Sequence, residues 1–202
     1  MHLLASLLTP KPREPRVPHG VRLVGPRVML REAETGDWRS WRGMRDLSRD
    51  FLKPWEPEWP ENSLSSSFFD GMLRRQDRDW RRGKAYAFLV FMIQGNGDNP
   101  RLAGGISLNE VRRGIAQKGT LGYWIGMPYA GQGLMTEAAS LVCEFAFDAL
   151  KLNRVEASCM PNNEPSRRLL KRLGFAEEGY AKSYLRIDGK WQDHVLWGKT
   201  VG

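Results

Sequence analysis

The segment that most constrains this chain is YWIGMPYAGQGLMTEAASLVCEFAFDAL, residues 123–150. Strand-like residues run into a turn containing Gly131 and Gly133, and the turn opens onto the best-patterned helix in the sequence. Leu134, Ala138, Leu141, Val142, Phe145 and Leu150 recur on one helical side across residues 134–150. A helix start carries backbone N–H groups without intrahelical partners, and together with the helix dipole they favour an anion. Glycine lets the backbone bend and approach that anion with no Cβ in the way. The same two glycines would also serve a purely structural turn; the strand–turn–helix context favours a phosphate or pyrophosphate site.

The flanking pattern implies a single α/β domain. RLVGPRVMLREA reads as a strand pair about Gly25-Pro26. DWRSWRGMRDLSRDFL places Trp38, Trp41, Met44 and Leu47 at helical spacing, with Asp37 suited to the N-cap or first turn. KPWEPEWPEN breaks that helix; its Trp55 and Trp59 are either core pins or the wall of a cleft. Residues 63–82 resume a helix, with Leu64, Phe68, Met72 and Leu73 expected inward. Its Arg74, Arg75, Arg78, Arg81 and Arg82 form either a patch for an acidic partner or a solvated face interleaved with Asp70, Asp77 and Asp79. AYAFLVFMI, RLAGGISLNEV, GTLGYWIG and NRVEASCM read as strands, with a GNGDNP turn after the first. Gly104 and Gly105 allow a bulge or a close backbone approach. Residues 165–173 form a short helix ended by Gly174, and the remainder a hairpin about Asp188-Gly189. The order implies a mixed sheet in one domain over residues 20–202, with 1–19 a basic, proline-broken, mobile tail.

Several classes are disfavoured. Hydrophobic residues are 41% of the 202, charged residues 27%, a soluble mixture with no run long enough to span a bilayer. The opening MHLLASLL precedes its positive charges, the reverse of a secretory signal. Cys143 and Cys159 lie in apolar periodic segments and read as packed free thiols, which favours a reducing cytoplasmic compartment. His2, His19 and His194 are scattered, so no metal site is expected. A net charge of +8 suits a polyanion, a phosphate-rich cofactor or mere solubility, and no DNA-binding motif accompanies it. At the glycine turn, a P-loop would require a lysine and a hydroxyl where Leu134 and Met135 follow Gly133. A dinucleotide fingerprint belongs earlier in a chain.

On these residues the chain resembles the GNAT superfamily of acetyl-CoA-dependent N-acetyltransferases. The family's motif A carries Gln or Arg, two variable residues, Gly, one variable residue, then Gly or Ala. Here the stretch is Pro128-Tyr129-Ala130-Gly131-Gln132-Gly133: the glycines match and Pro128 departs. NEPSRRLLKRLGF at 163–175 is similar to the family's second signature. More narrowly, residues 20–199 resemble the group that acetylates the N-terminal alanine of small-subunit ribosomal protein S5. The pieces that carry this are SRDFLKPWEPEWP, YWIGMPYAGQGLMTEA and EEGYAKSYLRIDGKWQDHVLW.

The resemblance implies a GNAT-like sheet splayed at its centre and acetyl-CoA as donor, with no metal. Backbone N–H groups of Gln132, Gly133 and Leu134, past Gly131, would hold the pyrophosphate. Ile125 and Gly126, at the end of the splayed strand, would hold the pantetheine arm, with an N–H near Ile125 as oxyanion donor. Asn163 matches an asparagine contacting pantetheine, or caps its helix. Ser166 matches a serine acting as acid toward the leaving thiolate, or is a structural hydroxyl. Leu170 stands where many GNATs carry an acidic tyrosine, which leaves Tyr123 and Tyr184 as alternative donors. Glu110, Glu177 or Glu178 would serve as a base through water, or be ordinary surface charges. An α-amine, with a pKa near 7.7–8.0, is already about 10–20% neutral at pH 7 and needs only a modest base. The acceptor implied is a ribosomal protein, S5 by resemblance. Alternatives are a small-molecule amine, another terminus, a lysine, or no catalysis at all in a protein contacting ribosomal RNA. A monomer or weak dimer is expected.

Overall fold

The structure, a computed structural model, describes residues 17–93 and 99–201. Eight strands form one sheet in the order β1-β2-β3-β4-β5-β6-β8-β7. They are β1 (Arg22–Val24), β2 (Val28–Arg31), β3 (Tyr86–Met92), β4 (Arg101–Arg112), β5 (Lys118–Ile125), β6 (Arg154–Cys159), β7 (Ala176–Ile187) and β8 (Lys190–Thr200). Every neighbouring pair is antiparallel except β5–β6. Helices α1 (Trp38–Leu47), α2 (Arg49–Leu52), α3 (Ser66–Arg81), α4 (Leu134–Glu144) and α5 (Glu164–Arg172) cover it. The GNGDNP turn lies largely outside the described residues, as do residues 1–16.

Strand alternation separates two cores. Phe88 and Val90 of β3 join the larger one with Leu134, Ala138 and Val142 of α4 and Leu169 and Leu170 of α5. Leu89 and Phe91 face the other way and pack with Trp41 of α1 and Phe69 of α3. The expected inward residues Leu64, Phe68, Met72 and Leu73 are half-buried around that second cluster, while Phe69 and Trp80 are the buried positions of α3. The α3 arginines are exposed; Arg81 pairs with Asp77 and Arg78 with Asp79. Both cysteines are free and buried.

Just before β1 the chain lies against α3: the indole N–H of buried Trp80 donates to the Val17 carbonyl at 3.1 Å, and His19 stacks on the same ring. A buried indole needs an acceptor. Asp37 is the N-cap residue of α1; Arg31 takes both its carboxylate oxygens at 2.7 Å, and Oδ2 also accepts the Glu34 N–H at 2.8 Å. One expectation needs correction. The helix over 134–150 is α-helical only to Glu144, and Phe145–Ala149 forms a π turn.

Candidate active site

The parallel pair β5–β6 is brief. Lys118, Gly119 and Thr120 face Arg154, Val155 and Glu156, and pairing then stops. From there β5 stays with β4 through Ile125, while β6 stays with β8 through Cys159. The sheet is therefore splayed beyond Thr120. The Gly126 N–H donates to the Ala103 carbonyl on β4 at 2.7 Å. Successive peptide groups of a strand alternate sides, so the Ile125 and Tyr123 N–H groups point into the opening. Gly104 of β4 makes this tight pairing at the strand end feasible: a Cβ there would strike the Trp124 carbonyl.

Ser48, a residue that sequence reading did not single out, fixes the chain just past β5. It is fully buried between α1 and α2 and accepts the Met127 N–H on its hydroxyl at 2.9 Å. Beyond it, Gly131 and Gly133 both adopt left-handed backbone, with φ of 74° and 79°. Nothing lies within 4 Å of a Cβ built at Gly131. The first bond closing the α4 turn is Glu137 N–H to Gly133 carbonyl at 3.1 Å, so the N–H groups before it face outward from the helix start. Gln132, Gly133 and Leu134 thus present helix-start amides, a candidate anion cradle, at the same sheet end as Ile125. Glu137 anchors the cradle, with Oε1 accepting the Arg27 and Val28 N–H groups at 2.7 and 3.2 Å. The Arg27 guanidinium completes the clamp, giving Nε to Glu137 at 3.0 Å and Nη1 to the Gln132 carbonyl at 3.0 Å. A carboxylate in the first turn would otherwise oppose an incoming phosphate; Arg27 offsets its charge.

Across the splay, Asn163 caps α5, its Oδ1 accepting the Ser166 N–H at 3.1 Å. The Ser166 hydroxyl meets the Tyr123 hydroxyl at 2.5 Å, so a side chain of β5 touches the start of α5 on the α4–α5 face. Burial pushes the Tyr123 phenol far above its ordinary range, the Ser166 contact drawing it back in part. Burial also pushes up Cys159, and drives Cys143 to about 11, so both are thiols rather than nucleophilic thiolates near neutral pH.

On the opposite face of β3–β5 lies a cavity of about 240 Å³ bounded by Trp41, Glu56, Gln76, Ser107, Gly122 and Trp124. The tryptophan loop builds one wall. Glu56 holds Arg45 through two bonds of 2.7 and 2.6 Å and accepts the Trp59 indole N–H at 2.8 Å. Arg45 itself stacks between Trp59 and Trp124, 4.2 and 4.9 Å from their ring centres. The Glu56 carbonyl accepts the Asp188 N–H at 2.9 Å, tying the C-terminal hairpin to this wall.

A splayed strand, a glycine cradle at its end and a hydroxyl pair across the gap occur together with a match of residues 27–176 to the acetyltransferase (GNAT) domain. The chain belongs to the GNAT family of N-acetyltransferases. It is 37% identical over 184 residues to the [ribosomal protein uS5]-alanine N-acetyltransferase of Escherichia coli, covering 90% of this chain and 91% of that one. The ribosomal-protein-S5-alanine acetyltransferase of Vibrio fischeri superposes with a TM-score of 0.81 at 28% identity, over 89% of this chain and 96% of that one. Mycobacterium smegmatis RimJ, in complex with CoA-disulfide, gives 0.80 at 29% identity, over 88% and 87%.

Within this GNAT domain, Ile125, Gly126, Gly131, Gln132, Gly133, Leu134, Asn163 and Ser166 gather at one end of the sheet. The carboxylates expected as bases do not. Glu110 sits exposed in the bulged stretch of β4, six residues from the Gly104 that faces Ile125, roughly 20 Å along a strand. Glu178 pairs with Arg154, which faces Lys118 at the far end of β5, and that guanidinium holds its carboxyl low. Glu177 pairs with Arg167 at 3.5 Å. Tyr184 packs on His194 in the hairpin rather than on Ser166. Among the described residues no helix is long and apolar enough to cross a membrane.

Proposed function

We propose that this enzyme acetylates the N-terminal α-amine of a ribosomal protein, the alanine of S5 being the leading acceptor, by direct transfer from acetyl-CoA. The observation that carries the donor half is the coincidence of the open Ile125 N–H with the cradle at Gly133 on one sheet end. A diphosphate chain fits the cradle because Gly131 presents no Cβ and the α4 N–H groups face out. Acetyl-CoA supplies an activated thioester. The Gln132, Gly133 and Leu134 amides bind its pyrophosphate, and Ile125 and Gly126 hold its arm. The Ile125 N–H takes up charge that develops on the carbonyl oxygen. Asn163 and Ser166 border the thiol end.

The amine enters from the opposite face through the cavity beside Trp124. Its nitrogen bonds to the thioester carbon, the carbon–sulfur bond breaks, and the amine loses one proton to water while the thiolate leaves. An α-amine, neutral in a sizeable fraction at pH 7, makes this feasible without Glu110 or Glu178. The relatives' names support the ribosomal acceptor, as do the tryptophan loop and hairpin that carry the narrower resemblance.

Purified protein with acetyl-CoA and two peptides tests this. One peptide bears a free N-terminal alanine; the other is blocked there and carries an internal lysine. Mass spectrometry is expected to find acetyl on the α-amine alone. Acetyl on the lysine alone would overturn the acceptor assignment.

A further inference from the structure

Tyr123 is half-buried on β5 in the stretch beyond Thr120, where β6 no longer pairs. Its hydroxyl meets Ser166 at 2.5 Å, at the short end of O–H···O bonds. Ser166 is fixed independently, since its backbone N–H is held by Asn163 at 3.1 Å. Its hydroxyl also borders the Cys159 thiol. Either hydroxyl can donate in this pair; with the phenol, the stronger acid, as donor, the serine oxygen accepts. A serine hydroxyl has one proton and two lone pairs. With a lone pair engaged by Tyr123, its proton faces the Cys159 sulfur, a weak acceptor, and can turn to a stronger one such as a thiolate.

We infer that Tyr123 is a positioning residue for acyl transfer: by donating to Ser166 it aims the serine O–H at the sulfur of the departing thiolate. Tyr123 touches no substrate and loses no proton. The thiolate carries the electron pair of the broken carbon–sulfur bond, is held by the serine hydrogen bond, and takes its proton from water after release. The amine has meanwhile given one proton to water, so the protons balance. This rests on the acetyl-CoA reading above. It also explains how the site dispenses with a tyrosine at the Leu170 position, because a tyrosine on the neighbouring strand acts one bond removed.

The test tracks the thiol of bound CoA by thiolate ultraviolet absorbance as pH is varied, using intact protein. Bound CoA is expected to ionise below free CoA. Tyr123→Phe should raise the bound thiol's pKa by about one, a tenfold change in ionisation, the scale of one hydrogen bond to a charged group. Ser166→Ala should raise it at least as far, and the double variant should match Ser166→Ala. In turnover, Tyr123→Phe should lower kcat about tenfold with KM for acetyl-CoA nearly unchanged. Site-specific fluorotyrosine at 123, a stronger donor of the same shape, should lower the thiol pKa and covers the case in which the phenylalanine variant folds poorly. An unshifted thiol in Tyr123→Phe, or additive effects of the two substitutions, would overturn the inference while leaving CoA binding intact. Wild-type protein that binds no CoA would instead defeat the acetyl-CoA reading beneath it.

Discussion

Gly133→Ala separates the cradle from the fold. Gly133 has φ of 79°, where an L side chain costs about 1–2 kcal/mol. Its Cβ would approach Arg27 Nη2 at 3.4 Å, an ordinary contact, so strain and not collision sets the cost to stability. For a domain of this size that lowers Tm by about 2–8 °C. Gly174 supplies the control: its φ is 78°, a Cβ there meets nothing within 4 Å, and it sits after α5 away from the cradle. Gly174→Ala should cost the same stability. Only Gly133→Ala also disturbs the amides that meet the pyrophosphate. Losing one charge-assisted hydrogen bond is worth about 1.5–3 kcal/mol, or about 10- to 100-fold in Kd. The assay is calorimetric titration with acetyl-CoA, backed by thermal melts with and without it. At 100 times the wild-type Kd the ligand adds about 2.7 kcal/mol to wild type, and about 0.9 kcal/mol to a variant bound 30-fold more weakly. Equal Kd values for both variants and wild type would refute the cradle.

Ser48→Ala should destabilise by about 1–3 kcal/mol, because the Met127 N–H loses its buried acceptor, and should lower kcat as the strand end loosens; melts and steady-state rates check both. Glu110→Gln and Glu178→Gln should each leave kcat within about twofold of wild type, since neither charge reaches Ile125; a hundredfold loss in either would restore that residue as the base. The Glu178 carboxyl is held low by Arg154, so its contribution is present above the ordinary carboxylate pKa and lost as pH falls through the folded value. Glu178→Gln should therefore lower the melting temperature slightly at neutral pH and converge with wild type in acid, flattening the pH dependence of the melt. With an alanine-starting peptide, kcat/KM should rise about tenfold per pH unit below about 7 and level above about 8, following the amine; a flat profile would show that another step governs the rate.

The elements were readable because periodicity and punctuation agreed. AYAFLVFMI forms β3, Asp188-Gly189 turns the β7–β8 hairpin, and Gly131 with Gly133 precedes α4. Local chemistry also marked Asn163 as a cap, which it is. Long-range partners left no local trace. Nothing in the sequence couples Ser48 to Met127, 79 residues on, or Arg27 to Glu137, 110 residues on. Glu110 and Glu178 read as candidate bases or ordinary surface charges, and only the register of β4 against β5 and the Arg154 pairing place them away from Ile125. Asp37 stands at the N-cap of α1 as its type suggested, but its carboxylate serves Arg31 of β2 and the Glu34 N–H rather than the amides of α1. Trp59 belongs to neither core: it is half-buried, stacks on Arg45 and donates its indole N–H to Glu56, which bounds the cavity.

In the proposed reaction, donor and α-amine meet across β5 beyond Thr120. A bisubstrate ligand tests that meeting most directly: CoA joined through an acetyl bridge to the α-nitrogen of an alanine-starting peptide, measured by calorimetry against CoA, the peptide, and a bridge to a lysine ε-nitrogen. The α-linked compound is expected to bind at least a hundredfold more tightly than CoA, since linking converts the second binding event to an intramolecular one. The ε-linked compound should bind no better than CoA. An α-linked compound no tighter than CoA would contradict the proposed reaction.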